Sequence, residues 1–264
     1  MDLNSLSCRS GVTLGKSLEG QRKNDLRSGE LKLTLEFLTI FTDIEVINSL
    51  LNRCDPLKLK SVHMNIYGSM LFRTGFGTKY RKLKHFYREG GRLKRLGIYL
   101  ERNEGDFGAP SPCFDAFLAI SKDFCHLEWL ILDEREWVKE APFRWWRHYN
   151  HLDWKAQLNV FAKTLCTTKL THLAITICSS CLNKQIISNN PSAFGIVDKA
   201  EMEDWYFATA CLLVESSPRM QRVAILVSYS FYYDATKDSS GNVSVRRVEV
   251  GSTDRPCFPF RLWS

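Results

Sequence analysis

No apolar run in the chain approaches the roughly eighteen residues a membrane-spanning helix requires. The opening stretch, MDLNSLSCRSGVTLG, lacks the apolar centre of a secretory signal. Nine cysteines, an odd number at irregular spacing, do not form a disulfide framework. Reduced thiols in a cytoplasmic or nuclear protein are the natural expectation. A phosphate-binding loop is missing too. SGVTLGKS at residues 10–17 places three residues between Gly11 and Gly15, where a P-loop needs four before Gly-Lys-Ser/Thr. The flanks supply neither the buried strand before such a loop nor the apolar helix after it. Residues 1–28 read as a flexible tail, and 252–264 as a second one.

Other chemistry is equally thin. Cys178 and Cys181 have the spacing of half a zinc site or a redox pair. No second half falls within reach, because on a strand His172 and Cys178 would stand about 20 Å apart. His148 and His151 have no carboxylate pair at ligand spacing. No Ser or Cys sits in a nucleophile elbow beside a base. Neither a cofactor nor a metal is implied, and the expectation is a protein that is not an enzyme.

Apolar residues make up 44% of the 264, enough for a substantial core, so residues 29–251 are expected to form one domain. The charge is uneven. Residues 79–95, KYRKLKHFYREGGRLKR, hold eight Lys or Arg against one Glu, a local +7 that equals the excess of the whole chain. Aromatic residues interleave with those charges, which suits nucleic acid as an alternative partner. Steering of an acidic protein partner is the preferred reading.

The informative signal is a repeat. Apolar-x-x-apolar-x-apolar recurs as Leu59-x-x-Val62-x-Met64, Leu93-x-x-Leu96-x-Ile98, Leu127-x-x-Leu130-x-Leu132, Leu170-x-x-Leu173-x-Ile175 and Met220-x-x-Val223-x-Ile225. The starts lie 34, 34, 43 and 50 residues apart, in the range of structural repeats. An earlier copy is expected at Leu31-x-Leu33-x-Leu35. The closing alternation predicts strands with one buried face. Helical stripes lie between them: Ile44, Ile47, Leu50, Leu51 and Cys54 after the capping box Thr42-x-x-Glu45; Phe114, Phe117, Leu118 and Cys125 after Ser111-Pro112. Two more are Trp154, Leu158, Phe161, Ala162 and Leu165, and then Trp205, Thr209, Leu212 and Leu213 after Asp198-x-x-Glu201. Strand and helix in alternation imply parallel strands joined by crossovers. A doubly wound sheet would bury both strand faces in continuous apolar runs. Here the intervening positions are mixed, which favours an α/β solenoid with one parallel sheet, helices on one side and an open face on the other. Asp238-Ser-Ser-Gly-Asn242 predicts a C-terminal hairpin that caps it.

CDPLKLKSVHM, CHLEWLIL, TTKLTHLAI and SSPRMQRVAI resemble the helix end, turn and strand of leucine-rich repeats. Over about residues 30–230 the long irregular periods are similar to the repeat region of fungal F-box proteins. The consensus Asn or Cys position holds Tyr67, Glu101, Arg135, Cys178 and Ser228, so only Cys178 matches. No Leu-Pro-x-Glu opening of an F-box is present, and a cullin-ligase adaptor role is not expected. The resemblance implies a substrate-recognition type of repeat domain that binds protein.

Equivalent strand positions would stack as rows: Ser61, Arg95, Trp129, His172 and Arg222, then Asn65, Tyr99, Asp133, Thr176 and Leu226. Trp, Tyr and Arg carry much of the binding energy at interfaces. Arg95, Tyr99, Trp129, Asp133, His172 and Arg222 are therefore the candidate protein-binding residues, with a cation–π contact expected between Arg95 and Trp129. The loop WVKEAPFRWWRHYNHLDW adds Trp145 and Trp146, adjacent residues of which one is expected to anchor a partner. An uncharacterised enzyme on a doubly wound sheet is the remaining alternative.

Overall fold

All five copies of the repeated pattern are strands in one sheet. The computed structural model describes residues 5–9, 36–41, 51–55, 57–67, 93–101, 112–124, 126–133, 154–177, 187, 195, 197–227 and 230–251. Among these residues nine strands follow in the order of the chain: β1 (Ser5–Arg9), β2 (Phe37–Phe41), β3 (Ser61–Tyr67), β4 (Arg95–Glu101), β5 (Trp129–Asp133), β6 (His172–Thr176), β7 (Arg222–Leu226), β8 (Phe231–Lys237) and β9 (Val243–Glu249). Pairing is parallel from β1 to β7 and antiparallel at β7–β8 and β8–β9. The expected hairpin is therefore present. β1 arises within the stretch expected as a tail, and pairs with β2. β2 starts just beyond the anticipated early copy at Leu31, Leu33 and Leu35, which lies outside the described residues.

Register follows the repeat. Val62, Leu96, Leu130, Leu173 and Val223 stand side by side, as do Met64, Ile98, Leu132, Ile175 and Ile225. These ten residues, with Leu59, Leu93, Leu127, Leu170 and Met220 ahead of them, are all buried in one core. Each such side chain stabilises the fold by about 1.5–3 kcal/mol relative to exposure.

Strand entries are held by a second repeat that no side-chain pattern announces. The Glu36 carbonyl accepts the amides of Lys60 and Ser61, and the Lys60 carbonyl those of Lys94 and Arg95. Lys94, Glu128 and Thr171 each do the same for the next strand, at 2.8–3.1 Å. Side chains partly follow: Lys60 pairs with Glu36 at 2.9 Å and Lys94 with Glu128 at 2.6 Å. These exposed pairs are worth little each.

Helices α1 (Pro112–Asp123), α2 (Trp154–Thr167) and α3 (Lys199–Glu215) lie between strands. Their buried residues join the core made by the strand positions above, so these three helices share one side of the sheet. Phe117 of α1 stacks on Phe161 of α2 with ring centroids 3.8 Å apart. The capping box of α3 is formed as expected, the Asp198 carboxylate accepting from the Glu201 amide at 2.8 Å. The buried stripes are rotated from expectation. α1 buries Ala116, Phe117 and Ile120 while Leu118 is exposed; α3 buries Tyr206, Thr209, Ala210, Leu213 and Val214 while Leu212 is exposed. Tyr206 explains the second shift, because its hydroxyl donates to the Ile177 carbonyl at 2.8 Å and draws that side of the helix onto the sheet. Among the described residues, no helix is long and apolar enough to cross a membrane.

The other side of the sheet differs from the expected open face. In β5, β6 and β7 only the first residue is partly exposed, and the next four are buried. Ile131, Ala174, Ala224 and Leu226 form a second apolar cluster with Tyr232 and Val250, against which Trp129 and Val248 pack.

Candidate functional site

Three rows cross the face opposite the helices. Parallel register brings Arg95, Trp129, His172 and Arg222 side by side, with Phe37 and Ser61 continuing the row at one end and Thr236 at the other. The anticipated cation–π contact is made, the Arg95 guanidinium carbon lying 3.8 Å from the Trp129 ring centroid. Trp129 then stacks on His172 at 4.5 Å, with the planes 29° apart. One strand spacing of about 4.8 Å brings successive side chains within stacking distance. Cation, indole and imidazole form a continuous half-buried stack over β4, β5 and β6.

His172 Nδ1 lies 2.9 Å from the Thr171 hydroxyl. Burial, followed by the positive fields of Arg222 and Arg95, pushes the imidazole down to about 4. His63, on the neighbouring row, is pushed down to about 4 by burial and then by Arg95. Both rings are thus neutral near pH 7, and the stack carries its charge on arginine alone.

The middle row runs Thr39, His63, Gly97, Ile131, Ala174, Ala224, Asp234 and Arg246. Asp234 was not foreseen as a site residue. Its carboxylate is fully buried, and Arg222 holds it with Nε to Oδ1 at 2.7 Å and Nη2 to Oδ2 at 3.2 Å. Arg246 adds contacts to Oδ2 at 3.2 and 3.4 Å. Burying one carboxylate between two guanidinium groups offsets its desolvation, which an unpaired charge could not do. The only sequence signal is an acid within the apolar strand FYYDATK; its partners become visible only once the hairpin register is known.

The third row contains Asn65, Tyr99 and Asp133, then Thr176 and Leu226. Tyr99 is partly exposed. Asp133 is buried, 1% exposed, and accepts from the Thr176 hydroxyl at 3.3 Å, so it lies in the same face as the stack but is closed to a partner. The candidates therefore divide. Arg95, Trp129, His172 and Arg222 share one accessible row with Tyr99 nearby, whereas Asp133 is a buried acceptor.

Trp145, Trp146, His148, His151, Cys178 and Cys181 lie outside the described residues, as does segment 79–95 apart from its last three members. Of those three, Leu93 is core, Lys94 pairs with Glu128, and Arg95 belongs to the stack. No protein-family model fits the chain, and no curated protein matches its sequence.

Proposed function

We propose that this chain is a leucine-rich-repeat-like solenoid that binds another protein through the sheet face opposite its helices, without catalysing a reaction. Strands that follow one another in chain order support the solenoid reading, since a doubly wound sheet reverses its order at a switch point. The observation that carries the binding reading is the stack of Arg95, Trp129 and His172. Aromatic rings and arginine held in fixed geometry lose little further conformational freedom when a partner docks. Tyr99 and Arg222 extend the contact surface. The Trp-rich loop with Trp145 and Trp146 supplies a second anchor, and the basic segment 79–95 raises the encounter rate with an acidic partner. The apolar cluster in the adjacent row packs against Trp129 and steadies the stack from the side.

The test is differential capture. Immobilised wild type is compared with a Trp129→Ala/Tyr99→Ala variant, both verified as folded by circular dichroism, and retained proteins are identified by mass spectrometry. A defined protein retained by the wild type and lost from the variant supports this face, and its direct binding is then measured with the purified partner. Equal retention by both removes the sheet face as the site.

A further inference from the structure

β9 ends the sheet. It pairs with β8 on one side, and among the described residues no strand lies on the other. The phase of that ladder follows from its two ends: the Val250 amide donates to the Ser230 carbonyl at 2.6 Å, and the Asp238 amide to the Asn242 carbonyl at 3.0 Å. Both pairs join even-numbered residues in the same register as the strand pairs between them. In an antiparallel ladder, alternate residues exchange both bonds with the neighbour and those between point theirs away. Ser244, Arg246 and Val248 thus direct their backbone groups to β8. Val243, Val245, Arg247 and Glu249 direct theirs outward.

Three of the four outward-bonding residues, Val243, Val245 and Arg247, are also fixed to the core side. Val243 and Val245 pack against the main core. Arg247 pairs with Glu203 of α3 at 3.0 Å and lies 4.1 Å over the Phe231 ring. Edge strands are usually blunted by brevity, proline, a bulge, a covering element or charged side chains, and of these, among the described residues, β9 has only its charges, Arg246, Arg247 and Glu249. β9 is seven residues long, contains no proline, and pairs without interruption from Glu249 to Val243.

We propose that β9 is a strand-addition site for an extended peptide segment that carries a carboxylate opposite Arg246. Arg246 has its side chain 72% exposed and is the second partner of Asp234, behind the shorter contact from Arg222. It engages Asp234 through Nε and one Nη, which leaves the other Nη as a donor for the carboxylate of an incoming cross-strand neighbour. A second copy of this chain fits less well: the symmetric antiparallel pairing that uses all seven residues sets Arg246 opposite its own equivalent. The site stands apart from the sheet-face reading and does not depend on it.

The experiment uses the full chain and the peptide acetyl-Val-Thr-Val-Glu-Val-Thr-Val-amide, with a Lys-for-Glu peptide beside it. In the free protein, residue-resolved amide exchange is slow at Ser244, Arg246 and Val248 and fast at Val245, Arg247 and Glu249. The Glu peptide slows the outward amides at least tenfold and binds at least fivefold more tightly than the Lys peptide. Val245→Pro removes an outward donor and abolishes binding; Arg246→Gln removes the preference for Glu, which keeps a test available if the proline variant does not fold. Outward amides already slow in the free protein, no slowing by either peptide, or equal binding of both would overturn the site.

Discussion

The Arg95 guanidinium lies 3.8 Å over the ring of Trp129, and the opposite partner of that indole is His172 at 4.5 Å. Each contact was open to strand register alone: one residue of slip would send every side chain to the other face. A double-mutant cycle on Arg95→Gln and Trp129→Leu is expected to return a coupling of about 1 kcal/mol in denaturant unfolding. Additive effects would mean that the stack contributes nothing beyond its separate burial.

Acid weakens this fold through two imidazoles. The folded values of His63 and His172 are both about 4, below the ordinary 6.5, so the unfolded chain binds protons first as pH falls. Their contribution is fully present above pH 6.5 and is lost progressively from there to about 4. Urea midpoints measured between pH 7 and 4.5 should decline, and His63→Gln or His172→Gln should flatten that decline. An unchanged slope in both variants would exclude these rings as the source.

Asp234 has no exposed surface in its side chain, and Arg222 is three-quarters covered. Removing one member of such a pair leaves the other charge buried without compensation. Asp234→Ala is expected to cost about 3 kcal/mol in denaturant unfolding, and adding Arg222→Leu to recover part of it. A loss below about 0.5 kcal/mol, the range of ordinary surface substitutions, would show that the pair is solvated.

The Tyr206 hydroxyl reaches the Ile177 carbonyl at 2.8 Å inside the core. Tyr206→Phe leaves that carbonyl without its donor and should cost about 1–2 kcal/mol. Phe161→Ala, which removes one ring of the α1–α2 stack, should cost about 3–5 kcal/mol. The reverse ranking would make the hydrogen bond to Ile177, and not the ring stack, the larger contribution.

Cys54 is buried, and burial raises its thiol to about 12, whereas Cys166 is exposed. The thiolate is the reactive form. Brief treatment of the native protein with iodoacetamide at pH 8 should label Cys166 and spare Cys54, as read by peptide mass spectrometry. Equal labelling would mean that the 51–54 segment opens readily.

Strand positions were readable because their burial rests on local alternation. All of Leu59, Val62 and Met64 and their counterparts in the four later copies are core. Rows on the opposite face were readable too, since equal spacing in the repeat becomes lateral register in a parallel sheet. Helix faces were less so. Leu118 and Leu212 share the expected stripes with Phe117 and Leu213, yet both are exposed, while Ala116, Ile120 and Tyr206 outside those stripes are buried. The Asp234 pair depends on the antiparallel register of β7 with β8, which sets Ala224 opposite Asp234 and which the spacing of the parallel repeats does not encode. Asp133 illustrates the difference: its row was foreseen, but its burial against Thr176 was not.

The paired amides at each strand entry have a consequence for the history of the chain. From β3 to β7 each strand is aligned by the carbonyl of its immediate neighbour, so alignment is renewed at every step and does not pass through the intervening segment. The length of that segment is therefore free to drift, and doubling a flexible connection costs only about 0.6 kcal/mol in closure entropy. Intervals of 34, 34, 43 and 50 residues can coexist with one unbroken register. Insertions into the intervals between strand copies are a change this architecture absorbs; a single residue added between Lys94 and Leu96 is one it cannot.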